Sequence, residues 1–258
     1  MNEAAERWAR ELGEWAIPAE ILDQAPKVPF VFPPEMFAAP PADSGSQSLS
    51  TRLAGEALAA SGSVLDIGCG GGAAAFAVAP PATHLIGTDR QEDMTNLFAR
   101  TAEERGLSCE VYSGPWPEVA PQVPIADVVV SHNVLYNVPD VVSFAMAANE
   151  HARRRVVFEI TEFHPQTVRK PLWKHFWDLE RPIGPTAGIA VAALAEAGLP
   201  VQSEPSVATP RNDQRASTVD AAFWCRQLCL PQDRVDEVAE LVATLEFPKE
   251  RITIWWDC

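Results

Sequence analysis

A run of glycines follows directly on an apolar segment in VLDIGCGGG, residues 64–72. Glycine allows the backbone to turn tightly and allows a ligand to lie against the main chain. The helix predicted after Gly72 would present free backbone N–H groups to a polar or anionic part of that ligand. A glycine-rich turn alone is weak evidence, but it marks the end of this predicted strand as a candidate binding site.

Two carboxylates near these glycines narrow the chemistry of the ligand. Asp66 stands two residues before Gly68, at a position that is normally apolar in dinucleotide sites because the phosphates of the ligand approach there. An ammonium or sulfonium group would instead be attracted to this carboxylate. Asp89 stands 21 residues after Gly68, the spacing at which a carboxylate accepts hydrogen bonds from ribose hydroxyls. The pair predicts a nucleoside cofactor that carries a positive charge.

Strand and helix patterns alternate from residue 63 onward, and this alternation brings the candidate residues together. It predicts an α/β, doubly wound fold, with a parallel sheet and helices on both faces. The carboxyl ends of parallel strands share one edge of such a sheet, where ligands bind. The predicted strands span residues 63–67, 84–88, 108–112, 125–130, 155–160, 201–207 and 251–257. The predicted helices span residues 73–79, 91–105, 140–151, 186–198, 219–230 and 235–245.

Three motifs together resemble those of the class I S-adenosylmethionine-dependent methyltransferases. They are VLDIGCGGG at 64–72, GTD at 87–89 and ADVVVSHNVLYNVPD at 126–140. Their order and spacing over roughly residues 60–160 are more specific than any single loop. WAIPAEIL at 15–22 and FEITEFHP at 158–165 are similar to stretches in actinobacterial members that act on small molecules. The resemblance implies a Rossmann-like, seven-stranded, mostly parallel sheet with an antiparallel last strand, for which residues 251–257 are the candidate.

The resemblance also implies S-adenosylmethionine as the cofactor, S-adenosylhomocysteine as its product, and no metal. By position, the glycines would line the methionine part, Asp66 would serve its amino group and Asp89 would hold the ribose. Arg90 or Met94 would flank the adenine, and the turn after the third strand would meet the adenine edge. Many members carry an acid in that turn, which accepts the adenine N6 hydrogens, but this chain does not. The alternatives are that Trp116 stacks on the adenine or that a backbone carbonyl accepts these hydrogens. The matched positions are Asp66, Gly68, Cys69, Gly70, Gly72, Asp89, Arg90, Met94, Pro115, Trp116, Ser131 and His132.

The loop after the fourth predicted strand holds the candidates for catalysis. Methyl transfer needs in-line positioning, and a hydroxyl or protonated amine acceptor also needs a base. His132 is the best candidate base, while Asn133 and Tyr136 would orient the acceptor. The alternatives are that His132 only supports the cofactor through its backbone and that the other two side chains pack within the loop. Glu159 and the polar residues after it could hold a cationic acceptor or orient a histidine, or they could cap a helix or face solvent.

The first 45 residues form a separate arm in this interpretation. Helical spacing begins the arm, and six prolines between residues 26 and 45 exclude a central strand there. The aromatic residues of the 30–37 segment lie among these prolines, so we expect residues 1–45 to fold over the crevice as a lid. The alternatives are a brace behind the sheet or a dimer contact. Residues 46–258 would form the methyltransferase domain, with a helical insertion at about 209–248.

Composition limits the partners. The 258 residues carry 20 Lys+Arg and 35 Asp+Glu, a net charge of −15 that disfavours nucleic acid. No apolar run approaches the ~18 residues of a membrane span. The five cysteines, an odd number without a secretory signal, predict reduced thiols in the cytoplasm. The expected partner is a small-molecule acceptor, and the expected state is a monomer or a homodimer.

Two other functions stay open on the sequence. Gly68, Gly70 and Ala73 fit a loose GxGxx[GA] pattern, as in an NAD(P)-dependent oxidoreductase, but Asp66 and the lack of a Tyr-x-x-x-Lys pair argue against it. A non-catalytic protein that binds S-adenosylmethionine or S-adenosylhomocysteine would have the same glycine loop. The DNA-methylating branch is set aside because residues 131–134 do not match its Asn/Asp-Pro-Pro-aromatic motif.

Overall fold

The structure is a computed structural model that describes residues 2–29, 34–39, 48–58, 60–207, 221–247 and 250–258. The aromatic residues Phe30 and Phe32 of the predicted arm lie outside the described residues. So do residues 209–220 and 248 of the predicted insertion.

Seven strands form one sheet, in the order β3-β2-β1-β4-β5-β7-β6. β7 runs antiparallel to both of its neighbours, and the pairs among β1 to β5 are parallel. This confirms the predicted seven-stranded sheet with an antiparallel last strand. The strands are β1 (Gly62–Ile67), β2 (Ala82–Asp89), β3 (Ser108–Ser113), β4 (Ala126–His132), β5 (Ala152–Thr161), β6 (Gln202–Val207) and β7 (Glu250–Asp257).

Helices cover both faces of the sheet, as the doubly wound class requires. One core lies between the sheet and helices α1, α6 and α8, and a second lies between the sheet and α3, α4 and α5. A third cluster, here called the cap, joins α2, α7, α9 and α10. The helices are α1 (Glu3–Gly13), α2 (Ala19–Leu22), α3 (Leu49–Leu58), α4 (Ala73–Ala77), α5 (Glu92–Glu104), α6 (Val141–Glu150), α7 (Lys170–Trp177), α8 (Ala187–Glu196), α9 (Ala221–Gln227) and α10 (Val235–Val242).

Strand alternation assigns the side chains of β4 to the two cores. Val128 and Val130 pack in the core under α3 to α5, whereas Val129 packs in the opposite core. Burial on both faces explains why the strand is uniformly apolar and β-branched. With a period of two, His132 continues the row of Val128 and Val130 at the carboxyl end of the strand.

The sequence patterns do not predict α3. Its buried face contains Ser50, Thr51 and Ala54 together with leucines, so the apolar stripe that normally reveals a helix is weak. Serine, threonine and glycine also have low intrinsic helix propensity. Packing against β4 and β5 therefore has to supply much of the stability of this helix.

The described part of the arm lies in two different places. Trp8 of α1 is fully buried in the core beneath α6 and α8, and its indole Nε1 donates a hydrogen bond to the carbonyl oxygen of Val138 (2.8 Å). Ile17 and Ile21 pack in the cap. By contrast, a short 3-10 helix at Pro34–Phe37 leads to Ala38, which forms a β-bridge with Gly71 of the glycine loop. The lid function of residues 1–45 stays a prediction.

Candidate active site

The glycine loop turns back over the end of β2. Gly68, Gly70 and Gly72 have φ angles of 71°, 50° and 85°, a left-handed region that residues with a Cβ rarely adopt. The backbone N–H groups of Gly68 and Cys69 both donate to the carbonyl oxygen of Thr88, each at 2.8 Å. The loop is therefore anchored to the neighbouring strand, and backbone conformation explains three of its glycines.

A close approach of the arm explains the fourth glycine. A Cβ added at Gly71 would lie 2.3 Å from the carbonyl oxygen of Phe37 and 2.8 Å from the Cα of Ala38. Both are backbone atoms, so they cannot move aside without shifting the chain. Phe37 and Ala38, within the proline-rich stretch, thus lie directly against the glycine loop.

Asp89 lies beside the same loop at the end of β2. One carboxylate oxygen accepts a hydrogen bond from the N–H of Gly70 (3.1 Å), and the other accepts from the N–H of Gln91 (2.9 Å). Each oxygen of an ionised carboxylate can accept a second hydrogen bond. The backbone therefore orients the group and leaves capacity for the two hydroxyls of a ribose.

Asp66 is almost fully buried behind the loop. Its carboxylate accepts a hydrogen bond from the N–H of Ala75 in α4 (3.1 Å). Burial raises its pKa to about 7; the Ala75 hydrogen bond opposes this rise, and the charge of Asp89 adds to it. A nearby cation would favour the ionised form and offset the cost of burying it.

The residues predicted to surround the adenine occupy different environments. Arg90 is exposed, whereas Met94 is buried in the first turn of α5. The N–H of Gly114, just before Pro115, donates to the carbonyl oxygen of Asp89 (2.9 Å), which brings this turn to the end of β2. The indole N–H of Trp116 donates to the carbonyl oxygen of Phe144 in α6 (3.1 Å). The indole is thus held against α6, and its stacking on a base stays a prediction.

Two buried side chains lie in and beneath the loop. Ser131 of β4 donates from Oγ to the carbonyl oxygen of Ile67 (2.8 Å), so it joins β4 to β1 at the start of the loop. Cys69 is buried, and this burial raises the pKa of its thiol well above the usual value. A neutral thiol is a weak nucleophile, which favours a packing role for Cys69.

His132 ends β4 and is paired in register with Glu159 of β5. Its Nε2 is buried and has no hydrogen-bond partner among the residues that the structure describes. Burial lowers the pKa of the imidazole below its usual 6.5, although the charge of Glu159 opposes the change. At neutral pH the ring is therefore uncharged, which is the form that can accept a proton.

Glu159 is buried and held from the α3 side of the sheet. It accepts a hydrogen bond from the hydroxyl of Ser50 (2.5 Å). The sequence patterns do not indicate Ser50, because they do not predict α3 and a lone serine in a helical segment carries no signal of its own. Glu159, Ser50 and His132 therefore form a polar group at the carboxyl edge of the sheet.

Asn133 and Tyr136 follow His132 but are placed differently. Asn133 is exposed, has a left-handed φ of 60°, and donates its N–H to the carbonyl oxygen of Glu159 (2.7 Å). The hydroxyl of Tyr136 is directed at the backbone carbonyl oxygens of Thr161 (2.8 Å) and Glu162 (3.2 Å), and burial raises its pKa. Its ring stacks on Trp8 with centroids 5.3 Å apart. These contacts favour the packing alternative for Tyr136, because its hydroxyl hydrogen is committed to the backbone.

The described ranges contain neither a candidate metal site nor a helix able to span a membrane. Within residues 2–29, 34–39, 48–58, 60–207, 221–247 and 250–258, no three His, Cys, Asp or Glu side chains are grouped so that they could hold a metal ion. The helices of those same ranges are all too short or too polar to span a membrane.

Comparison with known proteins identifies the domain. Residues 58–183 match a family model described as a methyltransferase domain. No curated protein sequence matches the chain. Many solved structures share its fold at low sequence identity.

Three of these structures show the extent of the similarity. The magnesium protoporphyrin IX methyltransferase of Synechocystis, with bound S-adenosylhomocysteine, is 15% identical over 98% of this chain and 93% of its own, with a TM-score of 0.53. Coclaurine N-methyltransferase, bound to N-methylheliamine and S-adenosylhomocysteine, is 13% identical with the same coverage and TM-score. The YcgJ protein of Bacillus subtilis is 17% identical over 81% of this chain and 97% of its own, with a TM-score of 0.51. Residues 58–183 therefore form a methyltransferase domain, and the chain shares the fold of class I S-adenosylmethionine-dependent methyltransferases.

Proposed function

We propose that the chain methylates a small molecule at the carboxyl edge of β1, β2 and β4. The observation that carries this proposal is the Asp89 carboxylate, which is hydrogen-bonded into the glycine loop through Gly70 and still has free acceptor capacity. When bound there, S-adenosylmethionine would supply an electrophilic methyl group, and S-adenosylhomocysteine would remain after transfer.

The residues of the edge fit the parts of that cofactor. Asp89 holds the ribose, and Asp66 holds the ammonium of the methionine part, where ionic attraction offsets burial of the carboxylate. Gly68, Gly70 and Gly72 take the left-handed conformations that turn the loop backbone toward the ligand. The remaining assignments, carried over by position, are Cys69 and Ser131 beside the methionine part, and Arg90, Met94, Pro115 and Trp116 around the adenine.

His132 is the proposed general base for an acceptor that must lose a proton. Its uncharged ring, its unpaired Nε2 and the carboxylate of Glu159 in register beside it support this role. A carboxylate near a histidine stabilises the imidazolium that forms when the ring accepts a proton.

The acceptor is proposed to be a small molecule in a reducing compartment such as the cytoplasm. The net charge of −15 supports a small acceptor rather than nucleic acid. The five cysteines form no disulfide, which supports a reducing environment.

Substitution of Asp89 tests the cofactor site. Asp89→Ala is expected to weaken S-adenosylhomocysteine binding by about 1.5–3 kcal/mol, the value of a hydrogen bond to a charged group. Isothermal titration calorimetry at fixed salt and pH measures the change. Asp89→Asn keeps an oxygen that can accept from the N–H of Gly70, so the loop contact is retained. Comparison of the two variants therefore separates the effect of the ribose contact from that of the loop contact.

Glu104→Ala, at the exposed far end of α5, is the matched control and should bind like the wild type. If the dissociation constant of folded Asp89→Ala were also unchanged, Asp89 would have no role in holding the ribose.

The raised pKa of Asp66 makes cofactor binding depend on pH. Below pH 7 the free protein holds Asp66 protonated, and binding of an ammonium requires that this proton be released. Affinity for S-adenosylhomocysteine should therefore rise roughly tenfold from pH 6 to pH 8, as the ionised fraction of a group with this pKa increases. Titrations across this range, in buffers of different ionisation enthalpy, would also count the released protons.

Asp66→Asn removes the titrating group and should flatten this pH profile. The same titrations in His132→Ala remove any contribution of the imidazole, whose pKa burial lowers. An equal pH slope in the wild type and in Asp66→Asn would contradict the assignment.

A further inference from the structure

Two buried arginines lie just beyond the carboxyl end of β5. Arg169 ends a 3-10 helix at Pro165–Arg169, and Arg181 follows α7. Their exposed fractions are only 9% and 7%. Among the described residues neither arginine forms an ion pair with a carboxylate.

Arg181 has a structural explanation. Its guanidinium donates to the carbonyl oxygens of Trp15 and Ala16, just after the end of α1, and lies over the rings of Trp15 (5.2 Å) and Trp173 (5.3 Å). Carbonyl oxygens carry partial negative charge, so these charge-assisted hydrogen bonds stabilise the cation.

Arg169 has no comparable explanation. Within the described residues its guanidinium donates a hydrogen bond to the side-chain oxygen of Gln166 and lies 4.7 Å from the ring centroid of Trp224. Its Nε is buried and has no partner within the described residues. Burial lowers its pKa to about 10, so the group still carries its charge at neutral pH.

Trp224 adds a second unsatisfied donor at the same place. Its indole Nε1 is buried and also has no hydrogen-bond partner in the described part of the chain. A buried cation without a counter-ion and a buried N–H without an acceptor are both unfavourable. Both deficits are removed by one kind of ligand, an anion that accepts hydrogen bonds.

This cluster is connected to the proposed active site. His164 lies between the two arginines and the loop of His132. The pKa of His164 is lowered to about 3, chiefly by burial and then by the charges of Arg181 and Arg169. Both guanidiniums therefore lie near its ring. The His164 ring packs edge-on against Tyr136 of the His132 loop, with centroids 5.1 Å apart. On the other side, Met36 packs in the cap together with Trp224, and the next two residues contact the glycine loop.

We infer that Arg169, with the indole N–H of Trp224, binds a carboxylate group of the methyl acceptor. This inference rests on the proposed function, since it assigns the ligand to the acceptor. A planar carboxylate fits the fork of a guanidinium with two parallel hydrogen bonds, and it can take the indole N–H as well. The cap would then select an anionic acceptor through the cation of Arg169. This local attraction would act although the protein as a whole is negatively charged.

Thermal unfolding in the presence of small carboxylates tests the inference without knowledge of the acceptor. The probes are sodium formate and sodium benzoate, compared with sodium chloride at equal ionic strength and with the neutral formamide and benzamide. The wild type should be stabilised by at least one carboxylate and by neither amide, because binding to the folded state raises the unfolding temperature. Arg169→Met should weaken carboxylate affinity about 10- to 100-fold, as expected for loss of hydrogen bonds from a charged group.

Arg169→Met should itself fold, because replacing a buried charge that has no counter-ion by an apolar side chain is often neutral or stabilising.

Three further variants identify the groups that bind the carboxylate. Trp224→Phe keeps an aromatic ring but removes the indole N–H, and should weaken carboxylate binding severalfold. Arg169→Lys keeps the charge but loses the fork, and should bind carboxylate more weakly than the wild type. Arg100→Met, exposed on α5, should behave as the wild type.

Two outcomes would overturn the inference. One is a wild type that no carboxylate stabilises beyond its matched amide. The other is a carboxylate effect that persists in Arg169→Met and Trp224→Phe. Failure of the proposed function is a separate result, since it would appear as a folded wild type that does not bind S-adenosylhomocysteine.

Discussion

Trp8→Ala is expected to lower the free energy of unfolding by about 3–5 kcal/mol, the range for removal of a large buried aromatic side chain. Trp8 is fully buried among side chains of α6, α8 and the sheet, and it stacks on Tyr136. Its removal also leaves the carbonyl oxygen of Val138 without the indole donor. Urea unfolding followed by circular dichroism at fixed pH measures the change.

Arg10→Ala is the control for this experiment, because Arg10 is exposed on the same helix and should change stability by no more than about 0.5 kcal/mol. A loss below 1 kcal/mol in Trp8→Ala would mean that α1 is not part of the core. The result also bears on the predicted lid. A truncation through residue 40 would remove the buried side chains of Trp8 and Trp15, so it could not distinguish a lid from a brace.

His132→Ala is expected to lower the turnover rate about 100-fold, the usual contribution of a general base. The expected change in affinity for S-adenosylhomocysteine is small, because the proposed role concerns the acceptor proton and not the cofactor. The lowered pKa of His132 predicts that wild-type turnover falls only below pH 6.5, where the ring becomes charged. Steady-state turnover with an acceptor from a screen of small carboxylic acids, together with calorimetry, measures both quantities.

His84→Ala provides the control, because this half-buried histidine lies near the amino end of β2, away from the carboxyl edge. Equal losses of cofactor binding and turnover in His132→Ala would favour the alternative in which His132 only supports the cofactor.

The central strands of the sheet could be predicted from local sequence because they are short, apolar and rich in β-branched residues. Residues 125–130 predicted β4 within two residues of its observed ends, since burial on both faces leaves an unbroken apolar run. Residues 251–257 predicted β7 equally well, although its antiparallel direction came from the family resemblance. α3 could not be predicted, because its buried face includes Ser50 and Thr51 and only contact with β4 and β5 reveals it.

The candidate site was predictable where it depends on a motif and unpredictable where it depends on packing. The glycine loop and Asp89 belong to a single βαβ unit, so their spacing along the chain fixes their position. The pairing of Ser50 with Glu159 joins residues 109 positions apart, and no local pattern indicates it. Arg169 lies in a polar segment where an arginine is ordinarily exposed, and it is the packing of α7 and α9 that buries it.

The central claim is that the glycine loop and Asp89 form a binding site for S-adenosylmethionine. The most direct test is calorimetric titration of the wild-type protein with S-adenosylhomocysteine, since it needs no acceptor. The titration is repeated in the presence of a large excess of NADH. We predict saturable one-to-one binding that NADH does not change. Absence of binding by the folded protein, or displacement of S-adenosylhomocysteine by NADH, would contradict the claim.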